Sequence, residues 1–496
     1  MPTDPRELRD HALLLDAWLR FHEEVPLPFT IPGHKQRHDL VGDVVAGDVP
    51  LYAGLDTMKL SQGVLAEAEG RAAQLWGAEL CRFSVGGATH GNQALALALA
   101  GGGDGDSGNN DSGDNDSGNK NKVVVSRTLH RSMLSGLALA GLDPVWVRPE
   151  VDARTGLPRG VTPGVVDEAL ERNPGVRGVL VGDPSYVGTV GDVAGLAEVA
   201  HRHGVPLVVD AAWAAHFGFH PDLPPHALAL GADAMVVSAH KTLPAWSQAA
   251  LVLARARSTE WPTGLDPARF DAAVEATHTT SPAGAILASI DASRALLERE
   301  GDVLLGEVTA AVRATRARLT DLDGLILLDG PDVDPLKLTL VLSGTGANGI
   351  DVENDLLVQG TPVEMADRDT IVAQVSIADD AVTLGRLADA LVASIGRRRG
   401  SPRAVVTASS YAVDPVTVLS PREAWFAPAR AVPVEEAIGR VSAELVAPYP
   451  PGIPVLAPGE QVTGEVVKAL LGARDAGVRI AYAADPSLAT LRVVDN

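Results

Sequence analysis

The chain has one cysteine, Cys81, so no intrachain disulfide can form. Cys81 follows the apolar end of a predicted helix, where a buried and inert thiol is expected. Long apolar runs are missing as well. Nothing approaches the ~18 consecutive apolar residues of a membrane span, and no span is predicted. The opening residues, MPTDPRELRDHALLLDAWLR, are charged throughout and lack a signal-peptide pattern. The expected location is the cytoplasm. Positive charge is scarce: 41 Lys and Arg stand against 63 Asp and Glu, for a net charge of −22. That disfavours nucleic acid and anionic membrane as partners. A cationic substrate stays open, because substrate is chosen inside a site. The 46% of apolar residues among 496 is the level of a globular chain able to build a sizeable core.

What is present centres on residues 205–253. Val205 to Val209 is a short apolar run that stops at Asp210. Ala234 to Val237 stops at Ser238-Ala239-His240-Lys241, and Ala249 to Leu253 follows. Short Val-rich runs bounded by polar punctuation read as buried strands of an α/β sheet. Ligands in such sheets sit at the carboxyl ends of strands, where Asp210 and Lys241 both fall. A buried lysine and carboxylate there suit pyridoxal phosphate. The amine bonds to the aldehyde, and the carboxylate keeps the pyridine nitrogen protonated, so the ring becomes an electron sink. From these two residues alone, a salt bridge at the sheet edge is the equal alternative.

The wording around them decides. Asp210-Ala-Ala-Trp213, His216-Phe-Gly-Phe-His220-Pro, Gly231-Ala-Asp-Ala234 and Ser238-Ala-His-Lys241-Thr-Leu-Pro244 resemble the bacterial ornithine/lysine/arginine decarboxylases. The resemblance implies an α/β chain of PLP-dependent fold-type I, similar to aspartate aminotransferase. Its large domain would carry a mainly parallel sheet, followed by a smaller α/β domain and a C-terminal α+β domain. Expected boundaries are 1–55 for an N-terminal segment, 56–300, 301–397, a polar linker 398–414, and 415–496. Long members of the family carry a wing domain before Pro32-Gly-His-Lys35. This chain resembles the short members.

Along the chain, residues 6–24 are expected to be helical. Gly86-Gly87-Ala88-Thr89-His90-Gly91-Asn92 lies between a strand at Cys81–Val85 and a helix from Gln93 to Ala100. Small residues let backbone N–H groups approach a phosphate, and a helix N-terminus favours negative charge. A glycine-rich turn alone is weak evidence. The resemblance places the cofactor phosphate loop here, with Ala88, Thr89 and His90 on the phosphate side. Residues 101–122, GGGDGDSGNNDSGDNDSGNKNK, hold no apolar residue except glycine and are expected to be a disordered, solvated insertion. Their Asp and Asn residues lack the closing Glu of an EF-hand loop, and no metal is expected.

The resemblance also implies that His130 stacks on the cofactor ring, with Arg131 where the family has lysine. Ser238 and His240 would serve the phosphate and Lys241. Gly182-Asp183-Pro-Ser-Tyr186 matches a cofactor-side loop, with Asp183 a departure of open role. Thr279, in Thr279-Thr-Ser281-Pro282, would reach the cofactor of a neighbouring subunit, implying a homodimer. Gly360-Thr-Pro-Val-Glu364-Met, Ser420-Pro-Arg-Glu423, Tyr449-Pro-Pro-Gly-Ile-Pro454 and Pro458-Gly-Glu460 match later parts of the family. Residues 283–322 are expected to be helical, with a break near Glu300-Gly301.

The implied reaction is decarboxylation of a basic amino acid, with arginine favoured over lysine and ornithine. Asp210, His130 and Lys241 would be the catalytic set, and Lys241 or His130 would supply the proton to the α-carbon. The central stretch mixes features of short and long members, which weakens any transfer of substrate from one branch. Two alternatives stand. Another α-carbon reaction, such as transamination, is possible on one fold, although the late arginine of aminotransferases has no evident match. A non-catalytic paralogue is opposed by the retained Asp210, His130 and Lys241.

Overall fold

The computed structural model describes residues 5–24, 47–49, 63–100, 121–405, 413–449 and 452–495. The Pro32-Gly-His-Lys35 element, residues 101–120 of the expected insertion and residues 406–412 of the expected linker lie outside the described residues.

Seven strands form the central sheet: β1 (Leu80–Ser84), β2 (Lys122–Ser126), β3 (Asp143–Val147), β4 (Val179–Gly182), β5 (Leu207–Asp210), β6 (Ala234–Val237) and β7 (Ala250–Ala254). Their order is β1-β7-β6-β5-β4-β2-β3. The pairs from β6 to β3 are parallel, and only β7 runs against its neighbours. Helices Arg131–Ala140, Pro163–Arg172 and Val193–Arg202 provide the crossovers that parallel strands require. β5, β6 and β7 are buried along their full length, which is why they read as continuous apolar runs and not as alternating ones. Parallel register brings Gly182 opposite Asp210 and Asp210 opposite Val236, so the polar residues that end the strands share one edge.

Three helices depart from expectation. The N-terminal stretch is a short 3-10 turn, Pro5–Leu8, followed by a helix over Leu13–Glu24. Asp291, far along the chain, accepts the Leu14 N–H at 2.9 Å and caps that helix start. The helix expected from Gln93 spans Gly87–Ala100. The glycines that look like a loop are its packed first turn: a Cβ on Gly91 would stand 2.8 Å from Val236 Cγ1. The expected break near Gly301 does not occur. Gly284–Thr320 is one helix in which Gly301 is buried, with the Leu297 side chain one turn back in the same helix 3.0 Å from where a Cβ would stand.

That long helix joins the central sheet to a second, antiparallel sheet of β8 (Ile326–Leu327), β9 (Lys337–Val341), β10 (Met365–Ala366) and β11 (Thr370–Gln374), in the order β10-β11-β9-β8. One continuous apolar core contains Val209 and Leu251 of the first sheet and Leu338 and Ile371 of the second. The last part of the chain pairs β12 (Ala429–Pro433) with β15 (Thr490–Val494) and β13 (Ala447–Tyr449) with β14 (Arg479–Ala481). It has its own core, including Val446, Leu456, Val466 and Leu491. Cys81 is buried, and desolvation pushes its thiol up, as expected of an inert cysteine. Among the described residues, no helix is long and apolar enough to cross a membrane and no cluster of metal-ligating side chains occurs.

Candidate active site

A cavity of about 630 Å³ opens at the carboxyl edge of the central sheet. Its floor is made by residues at or just past strand ends: Asp210 of β5, Ser238, His240 and Lys241 after β6, and Thr128 to Arg131 after β2. Asp210 is buried. Its Oδ2 accepts from Asn92 Nδ2 at 2.7 Å, and its Oδ1 accepts from the Ala212 N–H at 3.2 Å. Asn92 Nδ2 also donates to Ser132 Oγ at 2.9 Å, and Ser132 Oγ lies 2.8 Å from His130 Nδ1. One amide thus joins the carboxylate to the residue that supports His130.

Lys241 Nζ lies 3.7 Å from the centroid of the Trp213 indole. Desolvation pulls the Lys241 ammonium below its ordinary value, against the opposing charges of Asp210 and Glu364. An amine easily freed of its proton is what covalent attachment to an aldehyde needs. His130 is open to the cavity yet surrounded by protein. Desolvation lowers its pKa; Asp210 opposes that shift, while Lys241 and Arg131 add to it. His240 lines the cavity, and its Nδ1 lies 2.9 Å from the Ala249 carbonyl oxygen. Burial lowers its pKa too.

Of the residues expected at the site, Ala88, Thr89, His130, Asp210, Trp213, Ser238, His240 and Lys241 line this cavity. His90 does not. It lies on the inner face of the Gly87–Ala100 helix, buried, with Nδ1 2.7 Å from Ser84 Oγ and Nε2 3.2 Å from the Val274 carbonyl oxygen. Helical periodicity turns Ala88, Thr89 and Asn92 toward the cavity and turns His90 toward the sheet. Thr279 is exposed and does not line the cavity of its own chain. Asp183 accepts the Gly191 N–H and braces its own turn, and burial pushes its carboxyl up to about 7.

Several lining residues carried no assigned role in the sequence: Asn92, Tyr186, Glu364, Tyr449 and Tyr482. Asn92 belongs to the floor beside Asp210, and the other four form a separate wall of the cavity. Tyr449 donates its hydroxyl to Tyr186 at 3.1 Å, and Tyr186 donates to Glu364 at 3.1 Å. This chain crosses all three parts of the molecule. Two of them had a local signal: Asn92 its i+4 spacing from Ala88 on one helix face, and Tyr186 its place in the loop that resembles a cofactor-side element.

The cavity fits pyridoxal phosphate. Ser238 Oγ and Asn92 Oδ1 are buried polar atoms with no partner among the described residues, so the floor has unused hydrogen-bonding capacity. Gly86 to Thr89 bring the first turn of a 14-residue helix to the cavity, where N–H groups and the dipole favour an anion. Asp210 would meet a ring nitrogen there, and Lys241 an aldehyde.

Comparison with known proteins gives the same reading. The family model described as "Orn/Lys/Arg decarboxylase, major domain" matches residues 14–337, and its C-terminal domain matches residues 404–478. An arginine decarboxylase of Bacillus subtilis is 29% identical over 98% of this chain and 99% of its own. An arginine decarboxylase of Halalkalibacterium halodurans is 30% identical over 95% of this chain and 94% of its own. The constitutive lysine decarboxylase of Escherichia coli shares the fold with a TM-score of 0.75 at 18% identity, over 99% of this chain and 83% of that one. With a matching model over most of its length and a cavity built for the cofactor, the chain belongs to the Orn/Lys/Arg decarboxylase family and is an amino-acid decarboxylase that uses pyridoxal phosphate.

Proposed function

We propose that the chain decarboxylates arginine to agmatine, with lysine and then ornithine as the next substrates to consider. The observation that carries this is the placement of Glu364. Asp210 and Glu364 are the two carboxylates among the described lining residues. Asp210 is engaged on the floor with Asn92, so Glu364 is left to receive a cationic side chain. Glu364 belongs to the same wall as Tyr186 and Tyr449. A guanidinium can donate two parallel hydrogen bonds to a carboxylate, which an ammonium cannot. The names of the relatives favour arginine in the same direction.

When bound, pyridoxal phosphate supplies the electron sink for the pair released as the α-carboxylate leaves as carbon dioxide. The chain's own residues do the rest. Asp210, fixed by Asn92, holds a negative charge on the floor. His130, braced by Ser132, covers the cavity beside Lys241. One proton replaces carbon dioxide at the α-carbon, and His130 or Lys241 is placed to deliver it.

We further propose a homodimer in which Thr279 serves the neighbouring cavity, since in its own chain it is exposed and away from the site. The division into a large unit, a small unit and a C-terminal unit at 300, 398 and 415 is proposed on the separate sheets. The test is carbon dioxide release from cofactor-loaded protein offered arginine, lysine and ornithine separately, with the amine products identified. Agmatine from arginine as the fastest product is expected. A faster release from lysine would overturn the substrate, and no release from any of the three would overturn the reaction.

A further inference from the structure

Arg127 is the first residue past β2, and the chemistry described so far gives it no role. It is 2% exposed, and Glu460 is 1% exposed. The guanidinium engages both oxygens of Glu460, with Nη2 to Oε2 at 2.8 Å. Its Nε donates to the Pro454 carbonyl at 2.9 Å and its Nη2 to the Val455 carbonyl at 3.3 Å. Its Cζ lies 4.6 Å from the centroid of the Trp146 ring. Glu460 Oε2 also accepts the Ala457 N–H at 2.7 Å, so the carboxylate organises the same loop that the arginine grips. A buried ion pair is weak evidence for stability, because apolar side chains of similar volume often serve as well. What this pair adds is geometry: a planar fork fixes direction as well as distance.

The position of Arg127 shows what is being fixed. Residues 128–131 line the cavity, and His130 is among them. At the far end of this short loop, Arg131 Cζ lies 5.0 Å from the centroid of Tyr482, another cavity residue from the C-terminal unit. The loop is therefore tied to the C-terminal unit at both ends, with His130 between. We propose that Arg127 and Glu460 are positioning residues for His130: by locking the 127–131 loop onto residues 454–460, they set where the imidazole stands over the cavity floor. On this account the C-terminal unit takes part in the chemistry through a pair that never touches substrate. The proposal rests on the reading of His130 as the group that covers the cofactor.

The experiment compares three variants with the wild-type holoenzyme. Glu460→Gln leaves a buried guanidinium without its counter-charge and should lower Tm. The double variant Arg127→Met/Glu460→Met removes both charges and should recover most of that Tm. Its kcat should nevertheless stay about ten- to a hundredfold low, with KM changed less than about threefold, as for a misplaced catalytic group. The circular dichroism of the bound cofactor in the visible region should fall with kcat, since it reports how asymmetrically the ring is held. A double variant with wild-type Tm, kcat and visible dichroism would show the pair to be structural only. If the double variant does not fold, Arg127→Lys gives the same decision. It keeps the charge but cannot hold Glu460 and the 454 and 455 carbonyls together. The same losses of kcat and dichroism are expected, and wild-type values would overturn the proposal. His130→Ala, measured in parallel, separates the two readings: wild-type dichroism there would mean that the His130 assignment is at fault and not the latch.

Discussion

The floor and the facing wall of the cavity are built in opposite ways. The floor comes from one parallel sheet. Asp210, Lys241 and His130 each stand within a few residues of a strand end, and register alone brings them to one edge. The wall comes from three places in the chain. Tyr186 and Glu364 are 178 positions apart, and Tyr186 and Tyr449 are 263 apart, yet their hydroxyls and carboxylate form one chain. The difference separates chemistry from choice. On the proposed function, the floor would hold the groups that any reaction at the α-carbon requires, and the wall the groups that distinguish one side chain from another.

If that division is right, floor and wall variants must fail differently. Lys241→Ala should cost on the order of 10⁴-fold or more in turnover, the scale for removing a covalent participant. It should also lose the visible absorbance of the lysine-bound cofactor. Colour and activity that both persist would refute the Lys241 assignment. Glu364→Gln should instead raise KM for arginine by about 10- to 100-fold, the scale for losing a charged partner. Its kcat should change little. A loss of kcat at constant KM would put Glu364 among the floor residues and break the comparison.

Tyr449→Phe removes one neutral hydrogen bond to Tyr186, worth about 1 kcal/mol. About a fivefold rise in KM is expected, with unchanged cofactor affinity. An effect on cofactor binding would show that the C-terminal unit reaches the floor through Tyr449 as well.

The smallest effect concerns a buried lysine behind the wall. Lys337 is fully buried, and its Nζ lies 3.5 Å from the Trp213 ring centroid, the ring it shares with Lys241. Desolvation pulls its ammonium down to about 7; Asp334 and Glu364 oppose the shift, and Lys241 adds to it. In the unfolded chain the value returns to the ordinary 10.5. Between these two values the unfolded chain binds more protons, so this group makes stability rise with pH in that window. Lys241, also lowered by burial, acts in the same sense. Melting of Lys337→Met from pH 7 to 10 should show a shallower rise than wild type. An equal slope would show that Lys337 keeps its ordinary protonation in the fold.

The floor was largely legible in the sequence, because strand ends are marked locally by an apolar run and the polar residue that stops it. The His90 reading failed because the Gly-rich segment is helical, and a helix sends neighbouring residues to different faces. The expected break at Gly301 failed because a glycine tolerated inside a helix looks the same in sequence as one that ends it. Arg127 and Glu460 were not legible as a pair, since nothing in the chain marks residues 333 positions apart as partners.

By itself the sequence determined the parallel sheet, the lysine and aspartate at its edge, and through its motifs the family and the cofactor. These follow from patterns a few residues long, fixed by backbone periodicity and burial. Only the tertiary structure decided that Glu364 meets Tyr186 and Tyr449, that Lys337 shares a ring with Lys241, and that a C-terminal carboxylate holds the loop of His130. Those contacts depend on how separate sheets pack, and long-range packing leaves no local mark on the chain.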